Sequence, residues 1–116
     1  MSKGELAFAA LEQWCKTNGY PVPVPEYPFA KALKRRHRFD AAWVELKLGL
    51  DIQGQIWKKG GHTTGGGISK DCEKYCLAAT LGWRVMPMTY PQFNGGQAYG
   101  WLETIFTEGR RPGLLN

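Results

Sequence analysis

Two aspartates stand close together in a basic stretch of the chain, Asp40 in RRHRFDAAW and Asp51 in LGLDIQG. Each lies inside a run of strand-forming residues, where aspartate is disfavoured except at edges. A lone one is explained by a local hydrogen bond or salt bridge on an exposed face. Two in neighbouring strands are another matter. Hairpin pairing brings both carboxylates to one end of a sheet, where they repel, and the usual compensation is a divalent cation with hard oxygen ligands, Mg²⁺ or Mn²⁺. Lys31, Lys34, Arg35, Arg36, His37 and Arg38 stand just upstream and make a local field that favours a polyanion. Downstream, His62 sits among glycines in WKKGGHTTGGG. Its imidazole titrates near neutrality and can take a proton from water or give one to a leaving oxygen; the plain alternative is a solvent-exposed loop histidine.

These residues need elements to hold them. RFDAAWV (38–44) and LKLGLDIQ (46–53) read as strands joined by very few residues, hence an antiparallel hairpin. Leu46, Leu48, Leu50 and Ile52 alternate with Lys47, Gly49, Asp51 and Gln53, so Asp51 and Gln53 share a face opposite the leucines. Residues 3–17 read as an amphipathic helix with Leu6, Ala9, Ala10 and Trp14 on one side, closed by Asn18-Gly19. PVPVPEYPF has four prolines in nine residues and reads as an extended arm or edge passage that delivers Glu26 and Phe29. GQIWKKGGHTTGGG, with six glycines in fourteen residues, reads as a polar loop.

After that loop, 68–81 reads as a helix with Ser69 as a partial N-cap; Ile68, Cys72, Tyr75, Cys76 and Ala79 form one face, and Gly82 ends it. WRVMPMT (83–89) reads as a third strand with Pro87 marking an edge or a strand end, NGGQAYG as a loop, and GWLETIFTEG as a last short helix. The order helix, hairpin, helix, strand, helix describes one small α/β domain over residues 1–116: an N-terminal helix (1–19), a core (20–89) and a C-terminal loop and helix (90–116).

At 116 residues the chain can bury a modest core without staples, and its apolar share of 43% argues against disorder. Fifteen Lys and Arg against ten Asp and Glu give +5, and the pI of about 9.2 raises the prospect of a nucleic-acid partner, against the bland reading of a well-solvated surface. Three cysteines form no closed disulfide framework, and MSKGELAFAALEQW has neither an apolar signal region nor a cleavage site, so a cytoplasmic setting and no membrane insertion are expected.

Taken in order, PVPEYPF, RRHRFDAAW, LGLDIQG, IWKKGGHTTGGG, DCEKY and LGWRV resemble a family of small phage and prophage nucleases of the PD-(D/E)XK superfamily, related to junction-resolving and very-short-patch-repair-type endonucleases. The recurring pattern is an RFD strand, an acid-x-polar-Gly strand, a Trp-Gly-His loop, a D-x-x-K helix and a Gly-Trp-x-Val strand. It covers about three fifths of the chain, residues 20–89.

The resemblance implies a restriction-endonuclease-like α/β fold, a small mixed sheet with a β-hairpin core flanked by helices. It implies a Mg²⁺-dependent endodeoxyribonuclease in which Mn²⁺ can substitute, with DNA as partner. Asp40 matches the first metal-binding acid and Asp51 the second, more often Glu. Gln53 stands where the usual lysine would be, and being neutral it cannot act as proton acceptor or electrostatic clamp. Lys74, on the following helix, is the relocated lysine that the resemblance implies; by itself, Asp71 and Lys74 three apart would be a surface ion pair worth about 0.3–0.5 kcal/mol. His62 matches the Gly-His element, and Glu26 resembles an additional acid before the first catalytic strand, with Glu5 and Glu12 competing for that role but reading as solvated charges. Lys34, Arg35, Arg36, Arg38, Lys58 and Lys59 are expected on the phosphate backbone, and so is His37. Trp57 either stacks on an unpaired base or braces its loop. Branched or structured DNA, as in phage recombination, repair or replication, is the expected substrate, since so short a chain has little surface for reading bases. A homodimer would place two sites on two strands of a Holliday junction.

Competing motifs are weaker. Cys72-x₃-Cys76 lacks zinc-knuckle spacing and reads as packing. GGHTTGGG lacks the Gly-Lys-Ser/Thr ending of a phosphate-binding loop. A non-catalytic DNA-binding module with a degenerate nuclease site, and a partner-binding α/β protein whose charge is incidental, are the alternatives from other functional classes.

Overall fold

The computed structural model describes residues 1–53 and 65–108. Helix α1 (Lys3–Asn18) begins in a capping box: the Ser2 hydroxyl accepts from the Glu5 amide at 3.1 Å, and the Glu5 carboxylate accepts from the Ser2 amide at 2.9 Å. Glu5, expected as a solvated charge, is therefore a cap, and these bonds hold its pKa below the usual carboxylate range. Gly19 takes the left-handed conformation that ends the helix (φ 71°).

Four strands follow: β1 (Val24–Tyr27), β2 (Phe39–Trp43), β3 (Leu48–Ile52) and β4 (Arg84–Met88). They form one sheet in the order β1-β2-β3-β4, antiparallel across the first two pairs and parallel between β3 and β4. The proline-rich passage is thus an edge strand, where missing amide donors do least harm. Pro87 sits on the opposite edge, paired with Asp51. The parallel pair needs a crossover, which helix α2 (Gly65–Thr80) provides. The tail forms α3 (Tyr90–Asn94) and α4 (Gln97–Glu108).

Several expectations change. Val44–Leu46 is a 3-10 turn with Lys47 left-handed after it, so β3 starts at Leu48 and Leu46 is exposed. Helix α1 buries Ala7, Leu11 and Cys15, with Phe8 and Trp14 alongside, while Leu6, Ala9 and Ala10 face outward. Helix α2 starts before Ser69, which lies inside it. Its inward side carries Lys74, Tyr75, Leu77 and Ala78; Ile68, Cys72, Cys76 and Ala79 are exposed, so the two thiols do not pack. Gln97–Gly100 is helical, not loop, and α3 is an element the glycines concealed; Thr89 and Gln92 cap it reciprocally.

The sheet separates two cores. On one face Ala41, Trp43, Leu48, Leu50 and Met88 meet Leu11 of α1 and Leu102 and Phe106 of α4. On the other Phe29, Phe39, Ala42 and Trp83 meet Ala78 of α2. Phe39 stacks on Phe29 at 4.1 Å and lies against Gly49, where a Cβ would stand 2.5 Å from its ring. A glycine in the middle of β3 is the condition for seating that ring.

Candidate active site

Phe39 and Ala42 belong to the same core, although strict strand alternation would set Phe39 with Ala41 and Trp43. The alternation therefore breaks at Asp40. The paired register of β2 with β3 runs from Trp43↔Leu48 to Ala41↔Leu50. Beyond it, the Asp40 carboxylate takes over the role of a strand carbonyl: its Oδ2 accepts from the Ile52 amide at 2.6 Å. Among the described residues no hydrogen bond reaches its other oxygen.

Burial, first of all, raises the pKa of Asp40, and the charges of Asp51 and Glu26 push the same way; the Ile52 amide and Lys74 oppose them. Glu26 holds a left-handed backbone (φ 49°), rare for a side chain of its type, and lines the same cleft as Asp40.

Asp51 is the buried charged residue among those described. Such a group must be paired and hydrogen-bonded, and it is. Lys74 Nζ donates to Oδ1 at 2.8 Å, Tyr75 OH to Oδ2 at 2.7 Å, and Gln53 Nε2 to Oδ2 at 2.8 Å; Gln53 Nε2 also touches the Tyr75 hydroxyl. Burial is the main cause that pushes the Tyr75 hydroxyl pKa up, followed by its hydrogen bond to Asp51. Lys74 thus reaches the sheet and bonds Asp51 rather than the exposed Asp71, so it is no ordinary surface pair.

The structure brings Asp40, Asp51, Gln53 and Lys74 to one end of the sheet, with Glu26 beside Asp40. Tyr75 belongs with them and escaped sequence reasoning, which placed it among apolar neighbours; its position next to Lys74 was the available signal. Trp57, Lys58, Lys59 and His62 lie outside the described residues. In the basic run, Lys34, Arg36 and Arg38 are exposed. Arg35 and His37 are engaged with Glu73, the imidazole at 2.9 Å, and His37 is largely buried beside Phe29. Contact of either with phosphate would have to compete with Glu73. Hydrogen bonding to His37, then the charge of Arg35, holds the Glu73 pKa below the usual range.

Among the described residues no group of three or more His, Cys, Asp or Glu side chains clusters as a metal site. Asp40, with one oxygen bearing no hydrogen bond among the described residues, nonetheless suits Mg²⁺, which is commonly held by one or two carboxylates with waters and substrate phosphates. Asp51 would have to share its engaged oxygens. Burial raises Asp40 most, and a cation would relieve the repulsion from Asp51 and Glu26 that adds to it. Comparison with known protein families, curated proteins and solved structures gives no match to this chain. Among the described residues no helix is long and apolar enough to cross a membrane.

Proposed function

We propose that this chain is a metal-dependent DNA endonuclease with a restriction-endonuclease-like fold, hydrolysing phosphodiester bonds in branched or structured DNA. The observation that carries the reading is Lys74 reaching from α2 to Asp51, at the sheet end where Asp40 also lies. The resemblance implies a lysine supplied from that helix, while spacing alone would leave Lys74 on the surface. The order of RFD strand, acid-bearing strand, D-x-x-K helix and Gly-Trp-x-Val strand along the fold supports it too.

Asp40 and Asp51 would hold Mg²⁺ or Mn²⁺. When bound, such an ion polarises a phosphate oxygen and lowers the pKa of its water. Asp40 has an oxygen free for that task. Lys74, fixed by Asp51, puts a positive charge where a phosphate oxygen gains charge during cleavage. Gln53 is neutral, and its amide steadies Asp51 instead of acting on the substrate. Lys34, Arg36 and Arg38 lie just ahead of β2 and attract the DNA backbone without reading sequence.

A specific observation favours a second reading. Both Asp51 oxygens are already engaged by Lys74, Tyr75 and Gln53, as suits a non-catalytic DNA-binding module whose acid has become structural. Incubating the protein with labelled linear, single-stranded, flapped and four-way DNAs, with Mg²⁺, Mn²⁺ or a chelator, separates the two. The nuclease reading expects metal-dependent cutting, greatest on the flapped or four-way DNA. Binding in chelator with no cutting in either metal would leave only the second.

A further inference from the structure

A cleft of about 430 Å³ opens beside Asp40 between α1, the sheet end and α3. Its walls are apolar and partly aromatic: Phe8, Ile52, Tyr90 and Phe93. Its polar lining is acidic, with Glu5, Glu12, Glu26 and Asp40 among the lining residues. That volume falls within the range of small-ligand sites. We propose that this cleft receives an unpaired nucleobase of the bound strand, adjacent to the phosphate at Asp40.

The lining selects this occupant by exclusion and by fit. The acidic lining disfavours a phosphate inside the cleft, so the DNA backbone stays outside it, and a cation at Asp40 would draw one phosphate to that edge. A base is flat and uncharged, with π-faces for Phe8 and Tyr90 and amino donors for the carboxylates. Reaching such a cleft requires leaving the stack, which costs least for a base that is already unpaired. The cleft would therefore supply the preference for structured DNA that so small a surface cannot obtain by reading base pairs. This inference rests on the nuclease reading for its placement beside the cut, but the binding it predicts is measurable without cleavage.

The test uses the full chain in chelator with oligonucleotides carrying 2-aminopurine at an unpaired flap position, with the same flap bearing an abasic site there, and with fully paired duplex. The expected result is a change in 2-aminopurine fluorescence on binding and about tenfold weaker binding of the abasic flap. Ala9→Trp, which puts a large side chain at an exposed helix position lining the cleft, should weaken flap binding similarly and leave duplex binding unchanged. Equal affinity for the normal and abasic flaps, or no binding of either, would overturn the inference. Base-dependent binding without cutting on adding Mg²⁺ would keep the cleft and sink the nuclease reading; cutting without base dependence would do the reverse.

Discussion

The two acids at the sheet end live in opposite circumstances. Asp51 is buried and saturated, with three side-chain donors on its two oxygens. Asp40 has one backbone donor and an oxygen left over, and its pKa is raised by burial first and then by the charges of Asp51 and Glu26. One carboxylate is therefore part of the structure that fixes Lys74. The other is partly buried, and the Ile52 amide and Lys74 offset only part of what raises its pKa. A carboxylate with a raised pKa in a cleft is a candidate for function, which is how the proposed reading uses it.

Breaking the saturated side should cost most. Lys74→Met leaves a buried carboxylate without its counter-charge, and unfolding by denaturant should show a loss of about 3 kcal/mol. Adding Asp51→Asn to that variant should restore much of the stability and none of the cleavage. Gly49→Ala should cost about 2 kcal/mol, because the new methyl group collides with the Phe39 ring that sets the kink before Asp40; a smaller loss would mean that the ring moves freely. Tyr75→Phe removes one of three donors to Asp51 and should cost about 1 kcal/mol by the same measurement.

Asp40 should give the smallest stability effect, with the opposite sign. Its pKa is raised in the folded protein, so its contribution to stability is fully present below the unfolded pKa and declines as pH rises through the folded one. Asp40→Asn keeps an acceptor for the Ile52 amide and removes the repulsion, so its melting temperature at neutral pH should equal or exceed that of the parent. The parent's advantage at acidic pH should vanish in the variant. A clear destabilisation by Asp40→Asn at pH 7 would show that the acid is structural like its neighbour.

Much of this was legible before the fold. Period-two spacing put Asp51 and Gln53 on one face, and the ordered motifs singled out Lys74. Other parts misled for definable reasons. Helix α1 is apolar on more than one side, so Leu6, Ala9 and Ala10 competed with Ala7, Leu11 and Cys15, and only the docking against β2 and α4 decides between them. Helix α2 turns two polar residues, Lys74 and Tyr75, toward the sheet, because Asp51 must be satisfied there; hydrophobic periodicity then selects the wrong side, that of Ile68 and Cys72. The break in alternation at Asp40 depends on Phe39 entering the space over Gly49, a long-range fit that no local pattern announces. Ser2 and Glu5 stand at capping-box spacing, a signal present in the sequence that reading Glu5 as a solvated charge passes over.

The central claim is that Asp40 is held unsatisfied for use, and the most direct test is cleavage of labelled flapped and four-way DNA in Mg²⁺ by the parent and by Asp40→Asn. The account predicts cutting by the parent, none by the variant, and a melting temperature for the variant no lower than the parent's. Undiminished metal-dependent cutting by a folded Asp40→Asn protein would contradict it.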